Sequence, residues 1–151
     1  MKRSHLLWVL PAVVVVMAAT CDAISPKDYE RYSSASGLLL GGGDVDEGRV
    51  TFLKLHCNSC HTLHLISLPM PPSPLSKRIE LGGDVDELPT DGYLATAIIN
   101  PSHDLAEGYK REVVTESGAS RMADYEDLLT IRDLKNLVAF LHTQYRLAKE
   151  Q

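Results

Sequence analysis

Aromatic side chains are scarce in this 151-residue chain: 6% in all, with Trp8 the only tryptophan and Phe52 and Phe140 the only phenylalanines. Aromatic rings supply much of the volume of a small core. A core built from side chains alone would therefore be lean, and something else is expected to fill its middle. Positive charge is short as well: 15 Lys and Arg stand against 20 Asp and Glu, for a net charge of -5. The deficit deepens if Lys2 and Arg3 leave with an N-terminal signal. An acidic chain lacks the basic footprint that neutralises phosphates, which excludes nucleic acid as the expected partner. Apolar and charged fractions of 44% and 23% are ordinary for a globular protein, so neither wholesale disorder nor a multi-span membrane protein fits. The length allows one domain with short appendages and no second core.

No apolar run reaches the roughly 20 residues that a spanning helix needs. The longest, Leu6 to Ala19, is broken by Pro11, follows Lys2 and Arg3, and leads into Thr20 and Cys21. That is the three-part layout of an export signal over residues 1–21, and it predicts a periplasmic protein. Cleavage is favoured over an uncleaved anchor by the shortness of the run. Cys21 sits where a bacterial lipoprotein keeps its lipid-bearing cysteine, so a lipid tether and an ordinary cleavage region both stand as readings. Residues 22–43 are polar and then Gly-rich, a composition that behaves as a flexible linker, which leaves 44–151 as the domain.

Cysteine is rare, three in all, yet two of them stand close together: Cys57-Asn58-Ser59-Cys60-His61 is the C-x-x-C-H signature of covalent haem attachment. Two thiols held one turn apart can add to two vinyl groups on one haem edge, and the adjacent imidazole then lies under the iron as an axial ligand. Other readings explain less. A disulfide accounts for the cysteines and not the histidine, and a thioredoxin-like pair wants a strand and a helix around it. A zinc site needs two more ligands, and no second Cys/His pair exists.

The flanking sequence predicts helices. Asp44, with Glu47 three residues on, caps a helix from Val45 to about His56 that delivers the cysteines at its end. Pro69, Pro71, Pro72, Pro74 and Pro89, with Gly82-Gly83, make His61 to Pro89 a long extended loop. Its leucines would need a surface to cover. Thr90 or Asp91 caps a short helix to about Ile99, stopped by Asn100-Pro101. Thr130 caps a last helix to about Leu147, whose Ile131, Leu134, Leu137, Val138 and Leu141 share one face. Gly-Gly-Asp-Val-Asp-Glu occurs twice, at 42–47 and 82–87, and reads as coincidence, since the first copy opens a helix and the second runs into Pro89.

Taken together, Gly48-x-x-x-Phe52, Cys57-x-x-Cys60-His61, Met122-Ala123-Asp124-Tyr125 and Leu137-Val138-Ala139-Phe140-Leu141 resemble the small single-haem, class I type bacterial cytochromes c. The resemblance covers about Asp44 to Tyr145. It implies an all-α fold of about three main helices wrapped around one covalent haem c (heme c), with long loops. In that family the first and last helices cross closely, so Gly48, Phe52 and Phe140 would be packing residues. Met122 matches the family's methionine position, making it the candidate second axial ligand beside His61; Met70 and His103 are rivals. A proline carbonyl usually holds the axial histidine, and Pro74 is the candidate here. Tyr93 and Tyr125 could reach a haem propionate or simply pack, while His64 and His142 read as surface residues.

The function implied is electron transfer, with iron cycling between ferrous and ferric states and no substrate turned over. Nothing resembling a catalytic pair emerges, because the acid clusters Asp84-Val85-Asp86-Glu87 and Glu126-Asp127 read as solvated charge. Redox protein partners carrying a basic docking patch would suit that surface. Two alternatives fit the same residues: a haem-based small-ligand sensor, and a dedicated haem subunit of a periplasmic oxidoreductase.

Overall fold

Asp44 lies in extended geometry and its carboxylate accepts the Glu47 N–H at 3.0 Å, which starts α1 (Val45–Lys54). A 3-10 turn over Cys57–Ser59 follows. Thr90 caps α2 (Asp91–Ile99) by accepting from the Tyr93 N–H at 3.1 Å, and the helix stops before Pro101. A single helical turn, α3 (Arg111–Val114), precedes the last helix, α4 (Ile131–His142). Thr130 and Asp133 form a reciprocal capping box at its start. The computed structural model describes residues 37–148; the expected export signal, Cys21 and most of the expected linker lie outside the described residues.

The core forms where α1 and α4 cross, with α2 against them. Gly48 makes the crossing close: a Cβ there would lie 2.0 Å from the Asn136 carbonyl oxygen and 2.7 Å from the Phe140 Cβ. One helix therefore rests on the backbone of the other. Beside that contact Phe52 and Phe140 meet edge to face, with ring centroids 5.6 Å apart at 61°. Leu94, Ile98, Leu137 and Leu141 complete the buried cluster. The Asp44 N–H donates to the Asn136 side chain at 2.9 Å, which ties the start of α1 to the middle of α4. Leu40, at the end of the expected linker, packs on the core and donates its N–H to the Asp91 carboxylate at 2.7 Å. Leu40 is thus part of the packed domain.

The all-α expectation is overturned. Beside four short helices the described residues hold six short strands in three two-stranded pairs, so the fold is mixed α and β. β1 (His61–Leu63) pairs in parallel with β2 (Ile79–Leu81), and β3 (Gly83–Val85) pairs in parallel with β6 (Tyr145–Leu147). β4 (Thr115–Glu116) and β5 (Ala119–Ser120) form a small antiparallel hairpin. The physical reason is backbone satisfaction. Prolines keep the stretch after the cysteines from becoming helix, and its two extended ends then satisfy their N–H and C=O groups on each other. The same demand shortens the last helix. Gln144 lies against Gly82, which has φ +93° and no room for a side chain, and residues 145–147 leave the helix to pair with 83–85. Among the described residues no helix is long and apolar enough to cross a membrane.

Candidate functional site

The site begins where α1 ends. His56 adopts φ 57°, a left-handed conformation that histidine tolerates better than most residues, and this turns the chain into the 3-10 turn at Cys57–Ser59. The Cys60 N–H donates to the Cys57 carbonyl at 3.1 Å, so the two cysteines stand one turn apart, and both are free thiols. His61 then enters β1, held by the parallel ladder in which the Ile79 N–H donates to the Cys60 carbonyl at 2.9 Å. The ladder fixes the histidine immediately after the cysteine turn.

Cys57, Cys60 and His61 all line one cavity of about 490 Å³, a size within the roughly 300 to 1,000 Å³ of small-molecule and cofactor sites. Met122 lines it too, from the loop between β5 and α4. Its walls are apolar: Phe52 from α1 and Leu55 just after it, Leu94 and Ile98 from α2, Leu137 and Leu141 from α4, Ile79 and Leu81 from β2. Asp104 and Arg121 bring charge to the lining. The sequence thus contributes to one chamber four residues that lie in opposite halves of the chain.

The rivals are elsewhere. Met70 is 59% exposed and lines a neighbouring cavity of about 300 Å³, while His103 lines neither. His64 is bonded to Glu80 at 3.2 Å. His142, expected at the surface, is half-buried and bonded to Asp91 at 2.7 Å. Pro74 does line the main cavity, but among the described residues no proline carbonyl accepts a hydrogen bond from the buried His61 Nδ1.

Burial pushes the His61 pKa down, and the Ile79 backbone opposes this only in part, so the ring is neutral at pH 7. Its Nδ1 is buried and makes no hydrogen bond of normal geometry within the protein. A neutral imidazole is the form that coordinates a metal. Burial also pushes the Cys57 thiol up to about 11, against the opposing influence of its own backbone and the Tyr125 hydroxyl. Such a thiol stays protonated at neutral pH, unlike the depressed thiols of disulfide exchange enzymes. Tyr125 is itself raised to about 12, chiefly by burial and then by the neighbouring cysteines, and its hydroxyl donates to the Leu55 carbonyl at 3.4 Å. Tyr93 is about half exposed, and its hydroxyl lies 3.5 Å from the Asp104 carboxylate.

Two free thiols, one neutral imidazole and one thioether on an apolar wall fit a haem, the group that the sequence implies. They do not make a protein-only metal site. Among the described residues no three His, Cys, Asp or Glu side chains gather to hold an ion, as a structural zinc would require. Three neighbours of the site escaped the sequence reading: the Ile79 backbone, Asn58 and Arg78. Their roles depend on pairings across the proline loop, for which local sequence carries no signal. Compared with protein-family models, curated proteins and solved structures, the chain has no match.

Proposed function

We propose that this protein is a single-haem electron carrier of the cytochrome c kind, exported to the periplasm. Cys57 and Cys60 would hold the haem covalently, and His61 and Met122 would hold its iron. The observation that carries the reading is the convergence of those four residues on one apolar cavity. When bound, the haem supplies an iron that exchanges one electron. The chain's own part is to hold that group rigidly and keep water from it. Phe52, Leu94, Ile98, Leu137 and Leu141 wall the cavity with side chains that rest on helices. Tyr125, three residues after Met122, ties the methionine's loop to the Leu55 carbonyl just ahead of the cysteine turn. With His61 and Met122 both holding the iron, little of the chain would need to rearrange when an electron is exchanged, and a thioether would favour the reduced form.

The reading extends to a partner. An acidic chain docks on a basic patch through weak, salt-sensitive contacts that raise encounter rates more than affinity. No bond of a substrate is made or broken in this proposal. The test is to co-express the chain with a haem-attachment system and examine it on a denaturing gel. Haem that stays with the polypeptide, and is lost when Cys57 and Cys60 are both replaced by alanine, supports attachment at this motif. A chain that carries no covalent haem overturns it.

A further inference from the structure

The loop from Pro69 to Pro74 is poor in donors, since Pro69, Pro71, Pro72 and Pro74 carry no N–H, and its carbonyls must find donors elsewhere. Two side chains supply them. The buried Asn58 donates its Nδ2 to the Pro69 carbonyl at 2.6 Å. Arg78 donates Nη2 to the Pro71 carbonyl and, at the same time, Nε to the Ser59 carbonyl at 3.2 Å. Asn58 and Ser59 are the two residues between the cysteines. Both positions that the attachment motif leaves open are thus used to hold the proline loop against the cysteine turn. No ion pair among the described residues includes Arg78, so its fork is spent on backbone carbonyls rather than on a carboxylate.

We propose that Arg78 is a positioning residue for haem attachment: by bridging the Ser59 and Pro71 carbonyls it holds the turn in which both thiols present themselves to the haem edge. The inference rests on the function proposed above and adds a residue to it. The turn needs outside support because 3-10 hydrogen bonding is weak in itself. In each attachment an S–H adds across a vinyl C=C, forming a C–S bond and leaving the hydrogen on the neighbouring carbon, with no net oxidation. Both additions succeed only if the spacing of the thiols matches that of the vinyls. A planar guanidinium holds two carbonyls at once in a fixed fork; a lysine keeps the charge without the fork.

The experiment uses the full chain co-expressed with a haem-attachment system, as wild type, Arg78→Gln, Arg78→Lys and the control Arg146→Gln, which breaks an exposed pair with Asp84 at 3.2 Å. Covalent haem per chain is measured after denaturation, together with the position of the reduced α band, which moves to longer wavelength when a vinyl is left unsaturated. Arg78→Gln and Arg78→Lys are expected to lose covalent haem several-fold and to shift the band, with Arg146→Gln at wild-type values. Wild-type yield and an unshifted band in either Arg78 variant overturn the proposal. If Arg78→Gln is recovered unfolded by circular dichroism, Arg78→Lys decides alone. A wild type without covalent haem would instead sink the functional reading, so the two failures are distinguishable.

Discussion

Replacing Gly48 by alanine sets two effects of opposite sign against each other. In an isolated helix alanine is favoured over glycine by about 1 kcal/mol, so propensity alone predicts a more stable protein. At the crossing of α1 and α4 the added methyl would stand 2.0 Å from the Asn136 carbonyl oxygen and 2.6 Å from its carbon, whereas carbon contacts are comfortable at roughly 3.5 to 4.0 Å. Those are backbone atoms of the partner helix and cannot swing aside. The helices must part by an ångström or more, which loosens Phe52 against Phe140 and the wall formed by Leu137 and Leu141. Overpacking of this kind costs about 1 to 3 kcal/mol, and a clash with backbone belongs at the upper end. A net loss of about 2 kcal/mol corresponds to a fall in melting temperature of about 10 °C for a domain this size. Gly41 is the control, because a methyl there meets nothing within 4 Å. Thermal unfolding followed by far-ultraviolet circular dichroism should show Gly48→Ala well below wild type and Gly41→Ala close to it. A Gly48→Ala midpoint equal to or above wild type would refute the close crossing.

Two further outcomes follow from the charges. Partial burial alone would raise the Asp91 carboxyl, but the Leu40 and Gly41 backbone N–H groups and His142 outweigh it and hold its pKa below the usual carboxylate value. A depressed folded-state pKa gives stability that is present above the unfolded value, near 3.9, and is lost as pH falls through the folded one; urea midpoints should therefore drop more steeply below about pH 4 in wild type than in Asp91→Asn, and parallel curves would remove Asp91 from the account. With haem attached, electron exchange with a redox partner bearing a basic patch should slow as ionic strength rises; stopped-flow rates indifferent to salt would exclude electrostatic steering.

Signals carried by neighbouring residues were legible in the sequence, and long-range ones were not. Asp44 and Thr130 cap the helices they were expected to cap, and Thr90 is the one of the two candidates, Thr90 and Asp91, that caps the second, because a capping side chain acts within three residues of itself. The apolar stripe of α4 buries Leu137, Val138 and Leu141 as its spacing implied, whereas Leu134 is only partly buried and Ile131, in the first turn, is 76% exposed. The ladders were missed. Pairing His61 with Ile79, or Gly83 with Tyr145, depends on which distant segment arrives alongside, and strands of two or three residues leave no alternation to read. Tyr145 and Leu147 could continue the helical stripe, so nothing local revealed that they leave it. At the site, spacing singled out the cysteines and His61 and the resemblance singled out Met122, and all four line the main cavity. The Ile79 backbone beside His61 was not, since any residue type could have supplied it.

In the proposed function His61 and Met122 coordinate one covalently held haem iron. Optical spectra of the oxidised and reduced protein, co-expressed with a haem-attachment system as wild type and Met122→Ala, test it most directly. Wild type is expected to show a low-spin haem c with a weak far-red sulfur-to-iron band, and Met122→Ala to lose this band and bind carbon monoxide readily when reduced. A high-spin wild type, or a Met122→Ala spectrum identical to wild type, would contradict it.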